Sequence, residues 1–187
     1  HLVVVMAELK YETARTLPPF VLKNFGRFFK ITCVYSNAEN RNDIPGIEVL
    51  NDADLAILSI RRRTLPKNQL DVVRKYISDR KPLVAIRTTS HAFSLNKSKL
   101  ADGLDVWPEF DREILGGNYH GHYRDELKTY ARAIDAAADH SILQGVPTEE
   151  FRVFGSLYKN NSLITTAAPL MMGRAEGACA GEAASLQ

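Results

Sequence analysis

Cysteine is scarce in this chain, and the lack of paired cysteines removes two kinds of chemistry. Only Cys33 and Cys179 occur, and no Cys-x-x-Cys motif exists. Zinc ribbons and thioredoxin-type redox centres both need such closely spaced pairs, so neither is predicted. Cys33 lies in an apolar run typical of a strand, where a small buried thiol is the expected state.

Two motifs that depend on glycine are also missing. A nucleophile elbow places Ser or Cys at a sharp strand-to-helix turn between small residues, as in Gly-x-Ser-x-Gly, and this pattern does not occur. The only glycine pair, Gly116-Gly117, follows a predicted helix rather than a strand, so it does not fit a dinucleotide-binding loop. The sequence therefore predicts neither acyl transfer nor a phosphate-cradling glycine loop.

The chain has no excess of one charge and no long apolar run. It carries 24 Lys and Arg against 22 Asp and Glu, a net charge of +2. Nucleic-acid binding would require a basic stripe, and Arg61-Arg62-Arg63 is too short to form one, so we expect no nucleic-acid partner. No run reaches the roughly 18 apolar residues of a membrane span, so we expect no membrane partner. The sequence is compatible with a soluble cytoplasmic protein and with an exported protein that has lost its signal. A homo-oligomer is also compatible with it.

What the chain does contain is a regular alternation of short apolar runs and helical patterns. Four buried strands are predicted at residues 2–6, 31–35, 55–60 and 83–86. A helix is predicted over residues 17–29, with Thr16 as its N-cap and Pro18-Pro19 in its first turn. A second helix begins at Leu65-Pro66. This order predicts an α/β fold with a parallel sheet.

The second half of the chain is less regular. We predict a short helix from Trp107-Pro108 to Leu115, followed by strands at residues 128–134, 151–158 and 163–166. The length suits one domain, which we place at residues 1–173. From Arg174 onward apolar periodicity stops, so residues 174–187 are expected to form a poorly ordered tail.

Polar side chains follow several of the predicted strands at the point where each strand ends. Glu8 and Tyr11 follow the first, Arg61 and Arg63 follow the third, and a cluster beginning at Arg87 follows the fourth. The carboxyl ends of parallel strands meet at one edge of a sheet, where ligands of such folds bind. The sequence thus predicts a site there, with Arg61, Arg63, Tyr11, Thr88 and Ser90 as substrate-binding residues.

Three of these residues are candidates for catalysis, and each has a structural alternative. His91 is a general acid or base, or else it caps the turn after the strand. Arg87 holds an anionic or polyol substrate through its planar fork, or else it forms a buried ion pair with Glu8 or another acid. Glu8 works with Tyr11 in acid–base chemistry, or else it only satisfies the arginines. His140 is expected to be a turn residue.

His120 and His122 form the sharpest local signal in the second half. Residues two apart on an extended strand project to the same face, so both imidazoles could contact substrate or bind one divalent metal such as zinc. His91 or Glu8 could supply a third ligand. The alternative is that one histidine hydrogen-bonds a loop and the other is exposed. The His-Gly-His motif alone does not decide between the two.

Several short motifs also occur in the order seen in ThuA-like (trehalose-utilisation) domains, and the chain resembles that family from Leu2 to about Arg174. The motifs are Glu8-x-x-Tyr11, Arg61-x-Arg63-x-Leu65-Pro66, Leu83 to Phe93, Leu115-Gly116-Gly117-x-Tyr119-x-Gly121-His122, and His140-Ser141-Ile142-Leu143-x-Gly145. The resemblance implies a three-layer flavodoxin-like, doubly wound, mostly parallel sheet of the class I glutamine amidotransferase-like kind. Such domains usually continue past residue 174, so we expect a C-terminal part to be missing or divergent.

The resemblance also carries functional expectations. In true amidotransferases the nucleophilic Cys stands where this chain has Arg87, so no glutaminase reaction is expected. ThuA-like proteins are associated with bacterial carbohydrate utilisation, including trehalose and related sugars. The resemblance therefore implies a protein that acts on or binds a polyol or keto-sugar. The alternative is a non-catalytic domain that binds carbohydrate or protein on the same scaffold.

Overall fold

The computed structural model describes residues 1–95, 97 and 99–177, and its fold is built from short strands and two α-helices. Cys179 and the end of the expected tail, residues 178–187, lie outside the described residues. The helices are α1 (Thr13–Phe25) and α2 (Lys67–Ser78). The strands are β1 (Leu2–Ala7), β2 (Ile31–Tyr35), β3 (Leu55–Ile60), β4 (Leu65–Pro66), β5 (Leu83–Ala85), β6 (Leu104–Asp105), β7 (Gly121–His122), β8 (Lys128–Ala133), β9 (Phe151–Val153), β10 (Tyr158–Lys159) and β11 (Met171–Glu176).

The chain divides into two compact units, the first being His1–Leu115 and the second beginning at Gly116. That residues 1–173 fold together as one domain stays a prediction. No helix in the described ranges has both the length and the apolar character needed to cross a membrane.

A four-stranded parallel sheet forms the centre of the first unit. The strand order is β2-β1-β3-β5, so Leu2 of β1 lies between Ile31 of β2 and Leu55 of β3. Parallel neighbours need crossover connections, and α1 and α2 supply two of them. The order agrees with the flavodoxin-like arrangement, in which the first strand lies between the second and third. The predicted fold class, a mixed α/β fold around a parallel sheet, is confirmed.

The sheet separates two apolar cores because successive strand residues point to opposite faces. Val3, Val5 and Ala7 of β1 belong to the larger core, which also contains residues of α2. Leu2, Val4 and Met6 belong to the smaller core, which includes Val21 of α1. All six residues of β1 are buried, as its unbroken apolar run predicts.

The boundaries predicted for the first helix were wrong. It begins at Thr13 rather than at residue 17, and it ends at Phe25. Glu12, not Thr16, is the N-cap residue, and Pro18 and Pro19 lie inside the helix. The early start of α1 is explained by a residue outside the helical pattern. The Glu8 carboxylate accepts a hydrogen bond from the backbone N–H of Thr13, the first residue of the helix.

The strand that ends near Arg87 was predicted to be fully buried, and this was wrong. β5 is only three residues long, and Val84 is 49% exposed. In the described part of the chain β5 pairs only with β3, so it is an edge strand. Because β5 has a neighbouring strand on one side only, the side chain of Val84 has fewer neighbours than the side chains of the central strand β1.

The second unit is antiparallel and differs from the prediction at residues 163–166 and at its C-terminal strand. β8 lies between β9 and β11, and β7 pairs with β10. Residues 163–166 form no strand, and the partner of β8 is instead β11, which extends to Glu176. Arg174 to Glu176 are therefore not part of a disordered tail, because ladder pairing with β8 fixes their backbone. The helix predicted over residues 107–115, which belong to the first unit, is reduced to a π-helical turn at Asp111–Leu115.

Candidate functional site

Glu8 directly follows β1, and its carboxylate accepts several hydrogen bonds from the loop and helix that come next. Its side chain is almost fully buried, with the residue 2% exposed. Oε1 accepts hydrogen bonds from the backbone N–H and the hydroxyl of Thr13, at 2.8 and 2.7 Å. Oε2 accepts from the backbone N–H of Tyr11 at 2.7 Å. The carboxylate thus fixes the loop after β1 and satisfies an N–H at the start of α1.

These bonds also set the charge state of Glu8. Burial acts to raise the pKa of its carboxyl group, but the hydrogen bonds from Thr13, Tyr11 and Lys10 outweigh burial. The resulting pKa lies below the ordinary value of 4.5. Glu8 is therefore ionised at neutral pH, and its lone pairs are directed at the protein's own donors.

A hydroxyl connection extends this network to β3. The Ser59 hydroxyl donates to the Thr13 hydroxyl at 3.0 Å, and that hydroxyl in turn donates to Glu8. Ser59 is buried in an otherwise apolar strand. The ends of β1 and β3 are therefore joined by a chain of hydrogen bonds as well as by the sheet ladder.

Arg63, two residues beyond Arg61 after β3, carries a deeply buried guanidinium. The residue is 1% exposed, and its Nη1 donates to the carbonyl of Arg61 at 3.1 Å. Its Nε and Nη2 have no hydrogen-bond partner among the described residues. Burial and the nearby charges of Arg41 and Arg61 lower the pKa of Arg63 to about 10, although the charge of Glu8 acts in the opposite direction.

Arg87 is the first residue of a short 3-10 helix, Arg87–His91, that follows β5. Its φ of +38° lies in the left-handed region, where a residue with a side chain is strained. The guanidinium carbon lies 5.2 Å from the centre of the Tyr11 ring, within cation–π range. Tyr11 is 38% exposed, so this contact is open to solvent. The structure thus brings together two of the predicted residues, Arg87 and Tyr11.

The hydroxyls after Arg87 serve different purposes. Thr89 is fully buried, and its hydroxyl donates to the carbonyl of Leu58 at 2.9 Å, which fastens the turn to β3. Thr88 is also buried. Ser90 and His91 are half-buried, with Ser90 Oγ 3.0 Å from His91 Nδ1. We call Glu8, Tyr11, Arg87, Ser90 and His91 the strand-end site.

Beside the end of β3 lies a cleft of about 340 Å³. We call it the arginine cleft, and its lining residues are Arg41, Asn42, Arg61, Arg62, Thr64, Ser94 and Leu95. The Arg62 backbone N–H donates to the carbonyl of His91 at 3.1 Å, which links this segment to the turn after Arg87. Arg61, predicted to bind substrate, therefore lines a cleft, whereas Arg63 is buried.

His120 and His122 belong to the second unit, and both side chains are exposed. His122 lies in β7, and His120 directly precedes that strand. His120 Nδ1 lies 2.9 Å from the carbonyl of Asn118, and His122 Nδ1 lies 2.7 Å from the carbonyl of Tyr123. A carbonyl can only accept, so in each ring Nδ1 is assigned a hydrogen, and in the neutral form of the ring the lone pair lies on Nε2.

Metal binding by this pair stays a prediction. Within the described residues, no group of three or more His, Cys, Asp or Glu side chains is arranged to hold a metal ion. His140, by contrast, is a turn residue as predicted, since its Nδ1 accepts from the backbone N–H of Ile142 at the start of a short 3-10 helix.

Sequence reasoning missed three residues that shape these sites. Ser59 could have been found, because a lone hydroxyl in the buried strand LAILSI needs a partner. Thr13 was expected to lie in a loop before the helix. Arg41 lay in an Asn-rich segment that indicated only a loop, and nothing in its spacing related it to Arg61.

Comparison with known proteins adds information on the fold alone. No family model and no curated protein matches the chain by sequence. Among the solved structures that match it in three dimensions are two crystal structures of proteins provisionally assigned as ThuA-like. That from Bacteroides uniformis ATCC 8492 has a TM-score of 0.61 at 12% identity, covering 91% of this chain and 66% of its own. That from Parabacteroides merdae ATCC 43184 has a TM-score of 0.54 at 14% identity, covering 92% and 67%.

The chain therefore spans about two thirds of the length of each of these two structures. The similarity agrees with the resemblance that the ordered motifs indicated, from Glu8-x-x-Tyr11 to His140-Ser141. The wider glutamine amidotransferase-like superfamily stays a prediction. From its parallel sheet and these two neighbours, we conclude that the chain has the α/β fold of ThuA-like proteins.

Proposed function

We propose that this chain binds a sugar, a polyol or a keto-sugar at the strand-end site and serves carbohydrate utilisation. The observation that carries the proposal is the meeting of Arg87 and Tyr11 beside the buried carboxylate of Glu8. Hydroxyl-rich ligands need a small number of well-placed polar groups in a partly apolar setting. Tyr11 offers an exposed ring, and Arg87 offers donors in a fixed fork.

Arg87 in a strained backbone conformation supports a functional role for this turn. Strained residues with left-handed φ persist where the surrounding structure holds them, and they concentrate at ligand sites. In this fold the first residue of the turn after β5 is the cation Arg87 rather than a Ser or Cys nucleophile. Binding and proton transfer therefore fit the site better than acyl transfer does.

If the site is catalytic, His91 is the residue that would transfer a proton. Its Nδ1 lies next to the Ser90 hydroxyl, which can orient the ring. Glu8 is less suited to this work, because its oxygens already accept three hydrogen bonds and its pKa is held low. Glu8 would then position Tyr11 and the start of α1, while His91 does the chemistry.

The hydrogen bonds that Glu8 accepts from the protein also favour the second candidate function, a binding domain without catalysis. With its carboxylate committed to the fold, the site keeps few groups free for acid–base work. The two candidates share the ligand site and differ only in turnover. A sugar that is bound but not chemically changed would identify the second.

A thermal-shift screen tests the proposal, because a ligand that binds only the folded state must raise the melting temperature. Trehalose, other disaccharides, keto-sugars and polyols form the panel, with and without zinc. We expect at least one neutral sugar to raise the melting temperature of the wild type. The shift should be lost in Arg87→Lys and kept in Arg80→Lys, an exposed arginine after α2. No shift with any member of the panel would contradict the proposal.

A further inference from the structure

We propose that the arginine cleft is a separate binding site for an oxyanion, a phosphoryl or carboxylate group carried by a small molecule. This inference goes beyond the sugar site, and it holds or fails independently of whether a neutral sugar binds there. It rests on the charge, the donors and the strain that meet around Arg41, Arg61 and Arg62.

The first observation is an accumulation of positive charge without an ion pair, although the charge of Glu8 still acts on Arg63. Arg41, Arg61, Arg62 and Arg63 form no ion pair with any carboxylate in the described part of the chain. Their contacts are instead with backbone carbonyls. Arg41 Nη2 donates to Arg62 at 3.1 Å, and Arg62 Nη1 donates to Leu95 at 3.4 Å. Carbonyls fix the direction of a guanidinium, but they do not neutralise it.

The second observation is the burial of Arg63 behind this group. Arg41 and Arg61 line the cleft, and both lie close enough to lower the pKa of Arg63. Nε and Nη2 of Arg63 have no partner among the described residues, although the residue is almost fully buried. A buried cation with unused donors costs stability, so its presence beside two further arginines favours a role in attracting an anion.

The remaining lining groups are also suited to an anion. No Asp or Glu of the described residues lines the cleft. Asn42 Oδ1 accepts from the backbone N–H of Thr64 at 3.3 Å, so its amide nitrogen is turned away from that bond and can donate. Thr64 and Ser94 add hydroxyls. The volume of about 340 Å³ lies within the range of small-molecule sites, roughly 300–1,000 Å³.

Backbone strain marks the same place. Arg62 has a φ of +50°, in the left-handed region that a side chain disfavours. Hydrogen bonds from the Arg62 and Arg63 backbone N–H groups to the carbonyls of His91 and Ala92 hold this conformation. A planar guanidinium forms two parallel hydrogen bonds to a carboxylate or a phosphate, which is why these two ligand classes fit.

Isothermal titration calorimetry at constant ionic strength tests the inference, with inorganic phosphate, glucose 6-phosphate, glucuronate and glucose as probes. The variants are Arg61→Gln and Arg41→Gln, and the control is Arg80→Gln, at an exposed arginine that does not line the cleft. Arg41 is exposed, so its variant is expected to fold even if Arg61→Gln does not. We expect at least one anionic probe to bind the wild type, at least tenfold more weakly to both cleft variants, and unchanged to Arg80→Gln.

Each outcome decides a point. Binding of both phosphate probes but not glucuronate assigns a phosphoryl site, and the reverse assigns a carboxylate site. Failure of all three anionic probes to bind the wild type overturns the inference, and so does equal binding to Arg41→Gln. Binding of an anion without any response to neutral sugars would keep the arginine cleft and remove the proposed sugar site.

Discussion

The Glu8 carboxylate holds both the backbone N–H and the hydroxyl of Thr13, at 2.8 and 2.7 Å. One oxygen thereby joins the end of β1 to the first turn of α1. The position of Tyr11 depends on the same group, because its own N–H donates to the other oxygen of Glu8. The strand-end site is therefore built on a carboxylate that the fold itself uses.

Replacing Glu8 by Gln should destabilise the protein by about 1–3 kcal/mol, because a charged acceptor is lost and a partly buried donor is left without a partner. Denaturation with urea measures this change. Glu12→Gln is the matched control, since Glu12 is exposed and forms its ion pair with Arg15, which is also exposed. The control should stay within about 0.5 kcal/mol of the wild type. Equal stability of all three proteins would contradict the role given to Glu8.

Glu8 also makes stability depend on acid pH. Its pKa in the folded state lies below the ordinary value of 4.5. The stability that Glu8 contributes is therefore fully present above that value, and it is lost as the pH falls through the lower folded-state pKa. Unfolding measured between neutral pH and acid should show a shallower decline in Glu8→Gln than in the wild type. Parallel curves would show that Glu8 does not carry this dependence.

Two arginines allow backbone strain to be separated from ligand binding. Arg87 and Arg80 both have positive φ, +38° and +56°. Gly removes the cost of that conformation, about 1 kcal/mol, at either position. We expect Arg80→Gly to keep the thermal shift caused by a sugar and Arg87→Gly to lose it. Retention of the shift in Arg87→Gly would remove the Arg87 guanidinium from the site.

The histidine pair gives a prediction for the second unit. Both rings have Nδ1–H bonded to a carbonyl, which leaves Nε2 as the atom that could bind zinc. Equilibrium dialysis should show zinc bound to the wild type and none to the double variant His120→Ala, His122→Ala. His140→Ala is the control, because His140 serves a turn. Equal zinc in the wild type and the double variant would exclude the pair as ligands.

The parallel sheet could be predicted because its strands are short and mostly apolar, and β3 has the predicted bounds, Leu55–Ile60. The start of α1 could not, since its cause is Glu8, a residue outside the helical pattern. The exposure of Val84 was also out of reach, because a sequence does not show which strand lies at a sheet edge. In the second unit, β11 could not be predicted because its sequence shows little apolar periodicity.

The candidate site divides in the same way. Glu8, Tyr11 and Arg87 could be found at strand ends, because parallel strands bring the residues after them to one edge of the sheet. Only part of the arginine cleft could be predicted. Arg61 follows a predicted strand, but Arg41 comes from a loop whose path depends on contacts such as the hydrogen bond from Arg41 to the Arg62 carbonyl. When irregular segments bring side chains together, the sequence shows no periodic pattern from which the contact could be predicted.

The strand-end site of the first unit is the proposed place of sugar binding. The most direct test is a map of amide chemical-shift changes in an ¹H–¹⁵N spectrum as the wild type is saturated with the neutral sugar that gives the largest thermal shift. We expect the largest changes to fall on residues 8–13 and 87–91. Changes confined to other parts of the chain, with these amides unmoved, would contradict the claim.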